Sequence, residues 1–444
     1  MRYEGTVAVI GAGAAGLYAA GILSAKGINV VVLEAAKELG GRIKSLRNQP
    51  SEIRNLLIAD FPVELGAEMV WGTDSLFGSM VKNLNLPVLN LDELNKPVFV
   101  LGNQPKAAAD WATDADFLAQ KTFIEGIRNY TGSGQSIRQA ATAVPTRAQA
   151  LINSQVANVF GSSADRVGIK GVADSLKARK HDNKIFVLRA NPLQDIILSQ
   201  FARIASAVQT NNPVKSIDYT ADTIVITTTE GKTFEANKVI VTVPVSILKS
   251  GTIQFSPALP AEKTAAMSRI GMDAAIRVVL EFRKNFWGED TTLIWGGSSA
   301  IQIFNAGVAR SRFYQTTTIT VYGPRAAELS ALSRVAMISA LLAELDLFYK
   351  GQATQFVRRN LDTNEILTVV QDWSKEEYIK GGISYLTPAG TLTDRETLGK
   401  PVGTRLFFAG EATDATGDAG TINGALASAE KAAEQVVESI LKAT

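Results

Sequence analysis

With 444 residues the chain is too long for one ordinary core and suits two closely joined domains, and 46% hydrophobic against 20% charged residues reads as a soluble globular protein. Its 45 basic and 43 acidic residues are well mixed at a net charge of +2, which leaves no basic stripe for nucleic acid and no polybasic cluster for an anionic membrane. The absence of cysteine excludes disulfides, thiolate metal sites and a thiol nucleophile; the single histidine, His181, stands in a charged connector and is expected to be a solvated loop residue, so no histidine triad and no metal site is expected.

After Met-Arg-Tyr-Glu-Gly the chain runs into Thr6 to Ile10, a short apolar, β-branched stretch that predicts a strand buried on both faces. Gly11-Ala12-Gly13-Ala14-Ala15-Gly16 follows. In a strand, turn and helix unit the first glycine permits the tight turn, the second lets backbone approach a diphosphate, and the third lets helix and strand pack closely. A helix from Ala14 to Lys26, ending at Gly27, would offer that diphosphate its N-terminal NH groups and dipole. Ile28 to Leu33 is the next strand, and Glu34 closes it where a carboxylate can accept the hydrogen bonds of a ribose diol. The pattern predicts a dinucleotide site and leaves NAD and FAD both open. Three glycines break the N-terminal apolar run, which is therefore not a signal peptide, and no stretch approaches the roughly 18 uninterrupted apolar residues of a membrane span. A cytoplasmic location is the expectation.

Leu39-Gly40-Gly41-Arg42-Ile43-Lys44-Ser45, directly after the acid, resembles the Gly-Gly-Arg doublet of the flavin-containing amine oxidase family, which includes monoamine oxidases, polyamine oxidases and L-amino acid oxidases. The resemblance implies FAD, with Arg42 reaching its diphosphate through a planar fork and Gly11, Gly13, Ala14, Ala15, Gly16, Glu34, Ala35 and Gly41 around it. Val63 to Gly72 is similar to the family segment that passes beside the isoalloxazine ring, which implies contacts from Gly66, Ala67, Glu68 and Met69. Without cysteine a cysteinyl flavin bond is excluded, and FAD is expected to be non-covalent. Some monoamine oxidases carry a C-terminal membrane anchor; here the sequence stops at Thr444, before one could begin.

Further along, Leu76, Met80, Leu84 and Leu86 lie near helical spacing behind an Asp/Ser cap, and the stretch from about 79 to 187 reads as mostly helix and loop. Phe186 to Asn191 leads into a helix carrying Leu193, Ile196, Ile197, Phe201 and Ile204 on one face. Thr223 to Thr228, a turn at Glu230-Gly231 and Lys238 to Val243 read as a hairpin. The run Val239 to Pro244 resembles the family strand that returns the chain to the FAD domain, and Val214 is implied to lie near adenine or ribose. Ala275 to Phe282 alternates as a strand, with Arg277 where many family members place a lysine that holds a water against flavin N5. Arginine also donates hydrogen bonds but stays charged; an arginine paired at a sheet edge is the other reading of this position. Arg325 to Lys350 is a long helical pattern.

Gln371-Asp372-Trp373 and Gly381 to Tyr385 resemble the family's tryptophan strand and the segment that in monoamine oxidases bears the flavin-linked cysteine and one cage tyrosine; Ile383 and Ser384 fall at those two positions. Arg405 to Glu411, then Gly420 to Ala425 opening a helix to about Leu441, is the second strong match. It implies Gly410 and Glu411 at the ribityl-diphosphate, and Thr421 and Ile422 at the flavin pyrimidine through a helix N-terminus. Thr421 stands where many amine oxidases have an aromatic residue, so the two-tyrosine cage is expected to be absent. Arg277, Trp373, Ser384 and Thr421 are the residues implied to face flavin and substrate.

The expected fold is α/β: a Rossmann-type, glutathione-reductase-like FAD-binding domain formed by residues 1–78, 188–262 and 396–444, with an α+β substrate domain from 79–187 and 263–395. No second glycine fingerprint suggests a separate NAD(P)H site. The resemblance implies oxidation of the C–N bond of a small-molecule amine or amino acid to an imine, with hydride transfer to flavin N5 and reoxidation by O2, giving H2O2, or by another electron acceptor. An amino acid would need a cationic clamp for its carboxylate, for which Arg310 and Arg312 are candidates, although each reads more simply as a solvated residue. A desaturase or protoporphyrinogen-oxidase-like enzyme on a carbon skeleton, and a non-catalytic flavin-fold binding protein, are the alternatives. A homodimer is left open.

Overall fold

The computed structural model describes residues 3–47, 59, 61–94, 96–299, 301–310 and 315–442. Thr6–Ile10 forms the strand its branched apolar residues predict, pairing in parallel with Asn29–Leu33 on one side and Lys238–Val241 on the other, with Leu406–Phe408 outside the latter. Both faces are buried. Val7, Val9, Ile240 and Phe407 point into a core shared with helices Ala14–Ala25 and Ile422–Leu441, whereas Ala8, Ile10, Val239 and Val241 meet a second four-stranded sheet that includes Val214–Asp218 and Ile224–Thr228. Ala19 and Ala20 of the first helix and Ala429, Ala432 and Ala433 of the last are wholly buried, and side chains this small let the two helices lie close together.

A seven-stranded sheet forms the other half of the structure, ordered Thr368–Asp372, Ala275–Phe282, Gln315–Tyr322, Gln302–Asn305, Leu293–Trp295, Val98–Leu101 and Gln104–Ala107. Its neighbours are antiparallel except for Leu293–Trp295 beside Val98–Leu101. Strand alternation splits Ala275–Phe282 as its sequence predicts. Ile276, Val278, Leu280 and Phe282 pack toward helix Arg334–Tyr349, and Val279 packs on Val63 and Leu65 from the other face.

Four expectations change. The partner of Ile224–Thr228 in the hairpin is Thr233–Ala236, because Lys238–Val241 is taken up by the parallel sheet. The stretch read as helix and loop contributes strands Val88–Asn90, Val98–Leu101 and Gln104–Ala107, whose few alternating residues give a weak signal. The helical pattern of 325–350 is two helices, Pro324–Ser330 and Arg334–Tyr349, because Ser333 caps the second by accepting from Ala336 N. The pattern from Leu193 to Ile204 also divides, at Phe201, into Leu193–Gln200 and Ala202–Ala205.

Glu64 holds the region behind the ring-facing segment together. Its carboxylate accepts from Ser45 Oγ at 2.5 Å and from Leu193 N at 2.8 Å. Burial first, and Glu68 second among the raising causes, push its carboxyl from 4.5 up to about 7 against the pull of Ser45, Leu193 and Arg310. The folded protein therefore keeps a proton that the unfolded chain has released above pH 4.5, so this group withdraws stability as pH rises from 4.5 toward about 7 and withdraws no more beyond it. Glu64→Gln keeps an acceptor for Leu193 and cannot titrate. In urea titrations between about pH 4 and pH 8 this variant is expected to gain on wild type by about 3 kcal/mol across that window; a difference independent of pH would show that Glu64 titrates in the fold as it does in the unfolded chain.

Candidate active site

A cavity of about 690 Å³ is lined by residues from both the parallel and the seven-stranded sheet. It begins at the C-terminal end of Thr6–Ile10. Gly11 turns there at φ +107°, and its carbonyl oxygen is 1.9 Å from where a Cβ on Gly16 would sit, so the helix closes onto the turn only with glycine at that place. At Gly13 the nearest atom to an added Cβ, Gly40 O, is 3.9 Å away, and the space over it belongs to the cavity. Glu34 accepts from Ala12 N at 2.7 Å and from Ala36 N at 2.9 Å; burial raises its carboxyl above the usual range despite these NH groups. Gly11, Gly13, Ala14, Ala15, Glu34, Ala35, Gly41 and Val214 all line the cavity, whereas Gly16 acts in the packing beneath.

Arg42 Nη1 donates to Glu411 Oε1 at 2.7 Å and to Gly382 O at 2.8 Å. Glu411 also accepts from Ser384 N, Ser384 Oγ and Gly420 N, at 3.2, 2.6 and 2.8 Å. Burial raises its carboxyl, but Arg42 and Arg395 outweigh that and hold it below the ordinary value. Ser384 thus departs from its expected place facing flavin and substrate: its hydroxyl donates to Glu411 and accepts from Arg395 Nη1 at 2.7 Å, and Ile383 lines the cavity instead. Tyr385 turns away as well, donating to Asp273 Oδ2 at 2.9 Å.

Gly66 needs no Cβ for a reason internal to the protein, since one would fall 1.8 Å from Arg42 O and 3.2 Å from the Trp373 ring. Trp373 Nε1 donates to Leu65 O at 3.0 Å, which fixes the indole in the wall beside Gly66, Ala67, Glu68 and Met69. Arg277 Nη1 donates to Glu68 Oε2 at 2.8 Å and to Glu64 O at 3.2 Å, and Thr318 Oγ1 adds a bond to the same Glu68 oxygen at 3.1 Å. Arg277 lies in an interior strand, flanked on both sides, rather than at a sheet edge. Thr421 caps helix Ile422–Leu441, accepting from Gly424 N at 3.2 Å and donating to Asp418 O at 2.7 Å, so that Gly410, Gly420, Thr421 and Ile422 bring a helix N-terminus to the cavity.

The far end of the cavity is formed by residues the sequence reading did not single out. Ile124, Ile127, Val156, Phe160, Val172 and Leu176 make an apolar chamber, and Trp295, Thr320 and Tyr322 face it from the seven-stranded sheet. No periodicity separates chamber residues from core residues; the only available signal was alternation within Gln315–Tyr322, which puts Thr318, Thr320 and Tyr322 on one face. Arg310 is no carboxylate clamp: it donates to Leu188 O and Ala306 O and packs on the Phe61 ring, while Arg312 lies outside the described residues. His181 is likewise not a solvated loop residue. Its Nε2 is 2.9 Å from Asp418 Oδ1 and its side chain is 7% exposed, because Arg179 and His181 both turn back onto the loop that precedes the last helix.

Lysine-specific histone demethylase 1 homolog 3 of Arabidopsis thaliana is 26% identical over 507 aligned positions, covering 98% of this chain, which spans only 30% of that protein's length. Two solved structures share the fold at 17% identity: cyclohexylamine oxidase from Brevibacterium oxydans IH-35A, with a TM-score of 0.79 over 99% of this chain and 100% of that one, and putrescine oxidase bound to putrescine, with a TM-score of 0.78 over 98% and 99%. A family model of an NAD(P)-binding Rossmann-like domain matches residues 9–84, and one of flavin containing amine oxidoreductases matches residues 191–437. Since the latter match takes in more than half of the residues, the chain belongs to the flavin containing amine oxidoreductase family and is an FAD-dependent oxidoreductase.

Proposed function

We propose that the chain oxidises the C–N bond of a neutral amine carrying an apolar hydrocarbon group. The observation that carries this reading is the apolar chamber around Ile124, Val156, Phe160 and Leu176, joined in one cavity to the glycine turn. The charged groups that line the cavity away from its exposed rim have protein partners: Arg42 with Glu411, Arg277 with Glu68, Arg179 with Asp418, and Glu34 with backbone NH groups. Among the described residues that line the cavity away from its rim, that leaves no unpaired cation for an amino acid carboxylate and no unpaired carboxylate for a second ammonium; Glu38, Glu377 and Lys380 line it only at exposed positions.

The residues present fit FAD. Open space over Gly13, the positive φ of Gly11 and Gly41, and the N-terminus of Ile422–Leu441 form a cradle for a diphosphate and a planar ring, as the family resemblance implies. We read Gly11, Gly13, Ala14, Ala15, Glu34, Ala35, Gly41, Arg42 and Val214 as the dinucleotide side, and Gly66, Ala67, Glu68, Met69, Trp373, Gly410, Thr421 and Ile422 as the ring side. The division into residues 1–78, 188–262 and 396–444 against 79–187 and 263–395 is kept, since the parallel sheet draws its strands from the first set and the seven-stranded sheet from the second. Bound FAD would supply a two-electron acceptor for a hydride from the carbon beside the nitrogen, the iminium so left releasing its N–H proton to water as the imine, and O2 with two protons, or another acceptor, would take up the electrons, O2 giving H2O2. Arg277, charged and tied to Glu68, does not take a proton; the ion pair holds its place in the cavity wall. Trp373 and the chamber exclude water from the reacting carbon, which protects the amine from solvation while it is held.

Anaerobic mixing of the yellow protein with apolar monoamines, diamines and L-amino acids tests the reading through flavin bleaching. Monoamines such as cyclohexylamine or benzylamine are expected to bleach it at least tenfold faster than diamines or amino acids, with slow recovery of colour in air where Arg277 replaces the family lysine. Bleaching by none of these would favour a carbon-skeleton substrate instead. The cradle has its own test, read by bound flavin and melting temperature. An added Cβ at Gly13 meets no protein atom closer than 3.9 Å, so Gly13→Ala is expected to keep the stability of the flavin-free protein while retaining under a tenth of its FAD. Gly16→Ala collides with Gly11 O and should lose about 2 kcal/mol with or without flavin.

A further inference from the structure

Tyr322 ends the strand Gln315–Tyr322, two residue pairs beyond the pair Arg277 and Thr320: the register sets Arg277 opposite Thr320 and Ala275 opposite Tyr322. Opposed residues share a face, and all four line the cavity. The ring is fixed in place. A Cβ on Gly382 would fall 2.6 Å from Tyr322 Cε1 and 2.6 Å from Ala275 Cβ, so the Cδ1–Cε1 side of the ring lies directly against Gly382, and Tyr322 N is held by Asn158 Oδ1 at 2.9 Å. Its hydroxyl has no hydrogen-bond partner among the described residues, in contrast with Tyr385, whose hydroxyl is taken by Asp273. Burial raises the phenol above its usual value, with Arg277 and Arg42 pulling down and Glu411 and Glu68 adding to the rise, so the group facing the cavity is a neutral hydroxyl near neutral pH.

The positions at which the family resemblance would place cage aromatics do not supply one here: Ser384 is turned onto Glu411 and Arg395, and Thr421 caps a helix. We propose that Tyr322 positions the substrate amine, its hydroxyl oxygen accepting a hydrogen bond from an amine N–H while its ring forms one wall for the carbon that is oxidised. A bond of that sense leaves the nitrogen lone pair unengaged, as formation of a C=N bond requires. An unpartnered hydroxyl in a largely apolar chamber also selects for a ligand that can satisfy it. The inference rests on the amine reading above and deepens it to primary and secondary amines.

Tyr322→Phe keeps the ring and removes the hydroxyl, and the test compares it with wild type in anaerobic flavin reduction. With a primary or secondary monoamine the variant is expected to lose about tenfold in the ratio of reduction rate to apparent dissociation constant, at unchanged flavin content, spectrum and melting temperature. With the tertiary N,N-dimethyl amine of the same hydrocarbon group, which has no N–H to donate, wild type and variant should reduce alike. Tyr322→Leu, lacking the ring as well, is expected to fall further with all three. Equal rates for wild type and Tyr322→Phe on the primary amine would overturn the assignment and leave the amine reading intact, and a tenfold loss on the tertiary amine as well would overturn the hydrogen bond. A wild-type protein that no amine bleaches would overturn both.

Discussion

The carboxylate of Glu411 is the point on which the site depends. It is buried, and its oxygens accept four hydrogen bonds, from Arg42, Ser384 N, Ser384 Oγ and Gly420 N, with Arg395 holding the Ser384 hydroxyl in turn. A charge removed from water is tolerated when it is fully satisfied, and deleting one partner of such a pair costs about 3–5 kcal/mol because the other is left uncompensated. The consequence is geometric. Arg42 comes from the turn after the second strand, Ser384 from the seven-stranded half, and Gly420 from the approach to the last helix, so this one cluster fixes three distant stretches of chain around the same cavity.

Packing constraints then make the walls. Gly16 and Gly66 are each pressed on a carbonyl oxygen, of Gly11 and of Arg42 respectively, at distances no side chain allows. Both glycines work inside the protein, while Gly13 leaves its space to the cavity. The three uses of glycine look alike in a sequence. They differ only in what stands opposite the missing Cβ, which is a matter of tertiary contact.

That distinction marks how far the sequence could be read. The turn from Gly11 to Gly16, the acid at Glu34, the Gly-Gly-Arg doublet and the last helix are local patterns in which spacing alone dictates backbone geometry, and the strands and helices around them came out nearly to the residue. Ser384 could not be oriented from spacing, because its hydroxyl bridges Glu411 and Arg395, both distant in sequence, and a two-fold strand period says only that it faces one side or the other. The chamber is harder still. Ile124, Val156, Val172 and Leu176 carry the same apolar pattern as any helix that faces a core, and nothing local tells a residue that borders a void from one that borders another side chain.

The pairing of charges decides what such a chamber can hold. Arg277 and Glu68 lie 2.8 Å apart and form a pair whose opposite charges largely cancel at the distance of a ligand, so the chamber presents low polarity and little net field. An ammonium ion entering it would give up hydration and meet no carboxylate among Ile124, Ile127, Val156, Phe160, Val172 and Leu176, and burial of that kind shifts the acid–base balance of an amine toward its neutral form. The neutral form is the one with a lone pair available for a C=N bond. On this reading the protein needs no side-chain base beside the reacting carbon: Arg277 cannot serve as one, His181 is occupied by Asp418, and the ammonium proton is left with solvent water as the amine enters the apolar chamber in its neutral form.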